Sequence, residues 1–364
     1  MEYLKQKVEK KVVQTTIDRF VEHIRRNPQK GLLELLDFVK TGNEQSFSQK
    51  KYEILKEKVQ NPKDPWRNYL VRLAREMEPS VLKTILYQWG YQVGYIGRKT
   101  IEKNQKQYQC RIPSVLFLDL TGGKKGNEAE MQGKKQGGLE YETIDQIVEQ
   151  GKALGIFAYI LTGTDPFLRK NTMVKLCRKH ADTAFLALTN GLSVSQKFCD
   201  AMKQAKNVSV AICMEHTICM EHGEMQSESN KKIQEAMEIL KKSGLLFGVL
   251  VRYTGKNIQA VTEETFLDQL IQNGCRFAFY VPDEMEPLQE SQEKEWENKR
   301  KTMQKTKEII LLDLKKDKEK WIADISTEQY YGYVQATGLM TKDKTTTGGV
   351  TIYEKSLLEC LKAL

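Results

Sequence analysis

The chain has 364 residues, of which 40% are hydrophobic and 29% charged, and its formal net charge is +9. This length allows one large α/β domain with appendages or two or three smaller domains, and the composition is that of an ordinary soluble globular protein. The positive charge forms no basic stripe, because Lys and Glu are interleaved in segments such as KKDKEK and EKEWENKRK, a pattern typical of solvated helix faces. Nucleic acid is therefore not an expected partner.

The sequence also indicates the cellular compartment of the protein. No apolar run approaches the roughly 18 residues of a membrane-spanning helix. The segment MEYLKQKVEKK is charged from its second residue and lacks the apolar stretch of a secretory signal. The seven cysteines follow no regular disulfide spacing, which indicates a reducing compartment. The sequence thus predicts a cytoplasmic protein with no membrane partner.

Residues 1–111 predict an α-helical N-terminal region, because their apolar residues recur at helical spacing and no segment alternates like a strand. A breaker with two prolines, NPKDP, separates two pairs of helices. The predicted helices include Val12–Ile24, Leu32–Val39, Trp66–Met77 and Val81–Tyr95.

Residues 112–287 alternate between short apolar, β-rich runs and amphipathic helical runs, a pattern that predicts a parallel sheet with right-handed crossovers. Six strands form either an open doubly wound sheet or a partial barrel, and periodicity does not distinguish the two. The predicted strands are Ser114–Leu120, Ile156–Leu161, Thr183–Leu188, Val208–Cys213, Leu246–Arg252 and Arg276–Val281. The predicted helices are Tyr141–Leu154, Phe167–His180, Ser193–Ala205, Asn230–Lys242 and Glu264–Asn273.

The pattern changes in residues 288–364, which predict a small α+β appendage. A highly charged helix, Glu284–Lys307, leads into it, and a short helix, Ser356–Leu364, closes the chain. Between them lie weak strand signals at Glu308–Leu312, Tyr330–Ala336 and Gly349–Tyr353.

From the second βα unit onward the sequence resembles the radical S-adenosylmethionine (radical SAM) superfamily. The segments LEYETIDQIVEQGKALGIFAYILTGTDPFLRK, HADTAFLALTNG, VSVAICME and LLFGVLVRYTGKN carry the resemblance, which runs in order from about Pro65 to the C-terminus. The peptide-modifying type, with a SPASM/twitch-like C-terminal domain, is the nearest match. The resemblance implies an α/β fold with a partial (β/α)6 TIM-like barrel, and a peptide as partner.

The chain departs from this family at its cluster motifs. In the family, the loop after the first strand carries C-x-x-x-C-x-x-C, whose thiolates hold a four-iron four-sulfur cluster. The matching segment, TGGKKGNEAEMQGKKQGG, has no cysteine, and the C-terminal domain keeps only Cys360. We therefore expect no such cluster at the usual site, and the sequence favours a pseudoenzyme.

The resemblance also assigns candidate cofactor-binding residues. The family's G-G-E-P turn, which meets the amino group of S-adenosylmethionine, corresponds to Gly163, Thr164 and Asp165 followed by Pro166. The other pocket positions correspond to Asn190 after the third strand, Glu215 after the fourth, and Arg252 and Thr254 at the fifth. The alternative is that these residues only cap strands and start helices.

One local pattern is a candidate metal site. The segment ICMEHTICMEH is a tandem five-residue repeat that offers two thiols and two imidazoles, which suit tetrahedral zinc. On a helix these ligands would spread around the axis, so they converge only from an irregular loop. The alternative is a duplicated pentapeptide that holds no metal. The four residues are Cys213, His216, Cys219 and His222.

Together these observations favour a binding role over enzymatic activity. The main hypothesis is a radical-SAM-like pseudoenzyme that binds a peptide or partner protein, as the recognition or stabilising subunit of an active paralogue. Binding would use the barrel mouth and the open edge of a partial barrel. The alternative is an enzyme that uses zinc or S-adenosylmethionine at the same mouth.

Overall fold

We analysed the protein as a computed structural model. It describes residues 2–42, 48–122, 138–214, 228–317, 332–342 and 348–364.

The N-terminal region is helical, as predicted. Helix α4 shows why its boundary falls at the proline-rich breaker: the Asp64 carboxylate accepts hydrogen bonds from the backbone N–H groups of Trp66 and Arg67, and Pro65 occupies the first turn. The helices are α1 (Glu2–Arg26), α2 (Pro28–Gly42), α3 (Gln49–Gln60), α4 (Pro65–Glu76), α5 (Pro79–Ile85), a π-helix (Leu86–Gly97) and α6 (Arg98–Tyr108).

The centre of the molecule is a parallel sheet whose first six strands confirm the sequence prediction. The seventh strand, predicted only as a weak signal, pairs in parallel with β6. Strands β1 to β7 lie side by side in chain order. They are β1 (Val115–Asp119), β2 (Ala158–Thr162), β3 (Ala184–Thr189), β4 (Val208–Met214), β5 (Phe247–Tyr253), β6 (Phe277–Pro282) and β7 (Ile310–Asp313).

The crossover helices also follow the predicted order. The helix predicted from Phe167 begins as a 3₁₀ turn, Pro166–Arg169. The α-helices are α7 (Tyr141–Leu154), α8 (Lys170–Lys179), α9 (Gln196–Ala205), α10 (Glu228–Ser243), α11 (Ile258–Val261), α12 (Glu264–Gln272) and α13 (Glu290–Thr306).

The C-terminal residues extend the same sheet past β1. Strand β8 (Tyr333–Val334) pairs in parallel with β1, and β9 (Leu339–Thr341) and β10 (Val350–Thr351) follow in antiparallel fashion. Helix α14 (Leu357–Ala363) packs on α7, where the Leu357 N–H donates to Gln150 Oε1 at 2.6 Å. The domain boundaries at 111/112 and 287/288, and the SPASM/twitch assignment, remain predictions.

The two faces of the parallel sheet are covered by different elements. Leu116, Leu118 and Leu161 face outward and are fully buried in the core that contains the crossover helices. The alternate positions face inward, where Val115 and Phe277, from strands β1 and β6, belong to one cluster with the π-helix. The π-helix therefore packs against the inner face of a partial barrel.

The outer edge of β7 is bonded to side chains. The Leu311 carbonyl accepts a hydrogen bond from Gln304 Nε2 at 2.9 Å, and the Asp313 N–H donates to Asp317 Oδ2 at 3.0 Å. The Arg300 guanidinium pairs with Asp317. Two backbone groups on this edge are therefore already bonded within the chain, so fewer are left for strand addition than a bare strand edge would offer.

In the part of the chain that the structure describes, no helix combines the length and apolar character needed to cross a membrane.

Asp313 fixes α13 to the end of β7. Its fully buried carboxylate accepts hydrogen bonds from Tyr253 Oη and Trp296 Nε1, both at 2.8 Å, and from the backbone N–H groups of Lys315 and Lys316, both at 2.9 Å. Removing this acceptor would leave buried donors without a partner.

We predict that Asp313→Ala lowers the free energy of unfolding by about 3 kcal/mol or more, because two buried side-chain donors lose their acceptor. Urea denaturation followed by circular dichroism measures this. The control is Asp268→Ala, whose side chain is 48% exposed and pairs with Lys307; it should cost about 1 kcal/mol or less. Equal losses for the two variants would contradict the role assigned to Asp313.

Candidate functional site

Polar groups gather at the carboxyl end of the sheet, beginning with Asp119 at the end of β1. Asp119 Oδ1 accepts hydrogen bonds from the N–H groups of Thr121, at 3.2 Å, and Gly122, at 2.8 Å. Tyr333 Oη, on β8, donates to Asp119 Oδ2 at 3.3 Å. Burial and the nearby Asp119 raise the pKa of Tyr333, so its hydroxyl stays protonated and acts as the donor. The turn after β1 is thus fixed by a strand from the far end of the chain.

The turn after β2 is bonded directly to the turn after β1. The Thr164 N–H donates to Thr121 Oγ1 at 2.8 Å, and Thr164 Oγ1 donates to the Gly122 carbonyl at 2.5 Å. Gly163 has φ +130°, and a Cβ there would lie 2.2 Å from Thr121 Oγ1. Only glycine permits this close approach. The two turns therefore form one hydrogen-bonded unit.

Asp165 is turned into the protein and is only 2% exposed. Its Oδ1 accepts from the Phe167 N–H at 2.9 Å and caps the 3₁₀ turn. Thr189 Oγ1, at the end of β3, lies 3.0 and 3.1 Å from the two carboxylate oxygens. Burial raises the pKa of Asp165 despite these hydrogen bonds. The carboxylate links β2 to β3, and its burial leaves little of it accessible to a ligand's amino group.

Of the other predicted cofactor-binding residues that the structure describes, two lie in turns and one is an exposed cation. Asn190 Oδ1 accepts from the Leu192 N–H at 2.9 Å. Thr254 is buried, and its N–H donates to Asn257 Oδ1 at 2.7 Å. By contrast, the Arg252 side chain is 46% exposed and lies 3.8 Å from Asp283 Oδ2. Asn190 and Thr254 thus act in local turns, whereas Arg252 is presented at the barrel mouth.

Four predicted site residues lie outside the described residues: Glu215, His216, Cys219 and His222. Of the candidate zinc ligands the structure places only Cys213, which is partly exposed and faces inward near the end of β4. The zinc site therefore stays a prediction. In the described ranges no group of three or more His, Cys, Asp or Glu side chains is arranged to hold a metal ion.

Three of the described cysteines, Cys177, Cys199 and Cys275, are fully buried. Burial raises the pKa of Cys199 to about 11 and that of Cys275 to about 12, and it raises the pKa of Cys177 further. These thiols stay protonated at neutral pH. They also lie at different places in the fold: Cys199 on α9, Cys275 shortly before β6, and Cys177 on α8.

Sequence reasoning missed Asp119 and Tyr333. The period of two in VLFLD puts Asp119 on the same face as Val115 and Phe117. The sequence could therefore have predicted a buried acid at the end of this strand. Nothing local predicts its contact with Tyr333, which lies 214 residues away in sequence.

No protein-family model matches the sequence, and neither does any curated protein sequence. Solved structures do match, at 12% identity and a TM-score of 0.52 in each of three cases. SuiB of Streptococcus suis bound to S-adenosylmethionine aligns over 73% of this chain and 67% of SuiB. SuiB bound to its precursor peptide SuiA aligns over 73% and 68%, and anSMEcpe with bound AdoMet over 68% and 77%. At this identity the likeness shows the fold.

We predict that Gly163→Ala lowers the free energy of unfolding by about 2 kcal/mol or more, because the new methyl group meets Thr121 at a positive φ. The control is Gly90→Ala in the π-helix, where an added Cβ would have no neighbour within 4 Å. It should raise stability by about 0.5–1 kcal/mol. Thermal and urea denaturation measure both, and a neutral Gly163→Ala would contradict the close contact between the two turns.

We also predict a change in pH dependence for Asp165→Asn. A raised native pKa means that the native state keeps a proton that the unfolded chain loses above the ordinary value of 3.8. The contribution of Asp165 to stability therefore falls as pH rises from there through the raised pKa. Asparagine carries no such proton, so the variant should gain stability relative to the wild type as pH rises above about 4. Parallel stability profiles for the two proteins would disprove the shift.

Proposed function

Since the chain has the fold of the radical SAM enzymes, we propose that it is a pseudoenzyme that binds a peptide or partner protein at its barrel mouth. Its role would be that of a recognition or stabilising subunit for an active radical SAM paralogue. Structures of SuiB with SuiA and of anSMEcpe with the Cp18Cys peptide support a peptide as the class of partner.

The observation that carries the proposal is the chemistry of the turn after β1. Residues 121–138 contain no cysteine. The described start of this segment is bonded instead to Asp119 and Thr164. These hydrogen bonds within the chain support a mouth that keeps its shape without an iron–sulfur centre.

The first test is anaerobic reconstitution with iron and sulfide, with an intact radical SAM enzyme treated in parallel as the positive control. We predict less than about 0.2 iron per chain and no broad absorbance near 400 nm, because thiolate ligands are lacking. A four-iron stoichiometry with that absorbance would overturn the pseudoenzyme proposal.

The second test addresses binding. Arg252 is the exposed cation at the mouth, so Arg252→Glu should weaken copurification of a coexpressed active paralogue by about tenfold or more. The control is Arg178→Glu on the exposed face of α8, which reverses the same charge away from the mouth. Equal retention of the paralogue by both variants, or none by the wild type, would count against binding at the mouth.

A specific observation keeps zinc as a second candidate. Cys213 faces the barrel interior near the mouth and is partly exposed, as a ligand-binding thiol must be. Metal analysis of protein purified without chelator tests this candidate. About one zinc per chain in the wild type and none in Cys213→Ser would support it, and a zinc-free wild type would exclude it.

S-adenosylmethionine binding needs a partner for the ligand's amino group. Asp165 is the candidate by position, but its carboxylate is turned into the protein, where it bonds to Thr189 and Phe167, and the residue is only 2% exposed. Calorimetric titration with millimolar S-adenosylmethionine should therefore show no saturable binding, whereas a saturable isotherm would assign the mouth to that ligand.

A further inference from the structure

The inner wall of the partial barrel is apolar, and its upper part is open. Strand pairing places the alternate residues of β1 to β7 on one inward face. Several of these residues are partly exposed, and we call them the upper lumen. They are Phe117, Leu188, Leu250, Phe279, Val281 and Leu312.

This exposure belongs to the inner face alone. The neighbouring outward-facing residues Leu118, Ala187, Val249 and Ala278 are fully buried against the crossover helices. Lower in the barrel the inner face is packed, with Val115 and Ala158 in a buried cluster with Val93 of the π-helix. The upper lumen is therefore a concave apolar surface with a closed floor, which is the form of a small-molecule site.

Ser209 provides a separate indication of a ligand. It shares one register row with Phe117, Ile160 and Leu186, at the floor of the upper lumen. Its side chain is 3% exposed, and among the described residues its Oγ has no hydrogen-bond partner. A buried hydroxyl without a partner is unfavourable, so this position suits a ligand that carries a donor or acceptor.

Charge restricts the ligand further. Along the described inward positions of β1 to β7, charged side chains occur only at the strand ends, as Asp119 and Arg252. A charged group placed below them would lose its hydration without a compensating ion pair. The interior therefore disfavours zwitterions and other ions.

We propose that the upper lumen binds an uncharged, mostly apolar small molecule whose single hydrogen-bonding group meets Ser209. Its apolar part would lie against Leu188, Leu250 and Leu312. This site goes beyond the proposed binding of a peptide or protein at the mouth, and neither depends on the other.

The test compares two uncharged probes of nearly equal shape, p-cresol and p-xylene, which differ by a hydroxyl in place of a methyl group. Calorimetric titration of the full chain should show saturable binding of both probes near one per chain. The wild type should prefer p-cresol, and Ser209→Ala should lower its affinity for p-cresol by about fivefold while leaving p-xylene unchanged. Unchanged p-cresol binding would overturn the role of Ser209.

A matched pair of variants tests whether the apolar side chains of the upper lumen contact the probes. Leu188→Asn should lower the affinity for both probes by about tenfold, because a polar amide replaces apolar surface in the upper lumen. Leu86→Asn makes the same change at an exposed position of the π-helix and should leave both affinities unchanged. Circular dichroism verifies that each variant is folded. No saturable binding to the wild type, or equal effects of the two variants, would overturn the proposal whether or not a partner protein binds at the mouth.

Discussion

A parallel sheet is stable only when both of its apolar faces are covered, and the rest of this structure depends on that constraint. The crossover helices cover the outer face, where Leu116 and Leu118 are fully buried. Only the lower part of the inner face is covered, by Val93 and its neighbours in the π-helix. The remaining inner surface stays partly exposed above this floor. The position of the π-helix thus decides which part of the inner face is packed and which part stays partly exposed.

The carboxyl end of the sheet satisfies its own polar groups. Asp119 caps the turn after β1, Thr164 links that turn to the next, and Asp165 links β2 to β3. In an α/β barrel this end normally presents catalytic groups to substrate. Here the same strand ends are joined to one another. In the described residues these hydrogen bonds fix the relative positions of the first three strand ends, as the proposed recognition role requires.

The outer edge of β7 contributes to the same conclusion. Gln304 and Asp317 bond to two of its outward backbone groups, which leaves fewer for a partner strand. The proposed binding surfaces are instead the mouth, with Arg252 at its rim, and the apolar upper lumen beneath it. A charged rim above an apolar interior allows two different partners, a peptide or protein outside and an uncharged small molecule inside.

The sequence by itself determined the secondary-structure elements and the absence of cysteine from the segment after β1. Period-two and period-3.6 patterns place β1 to β6 and their helices, because local burial preferences set these patterns. The lack of cysteine in residues 121–138 is likewise a property of the sequence alone. Tertiary structure decided what depends on contacts between distant segments. Tyr333 reaches Asp119 across the sheet, β7 joins β6, and Asp165 is buried against Thr189. Such contacts leave no local periodicity, because each is set by packing rather than by neighbouring residues.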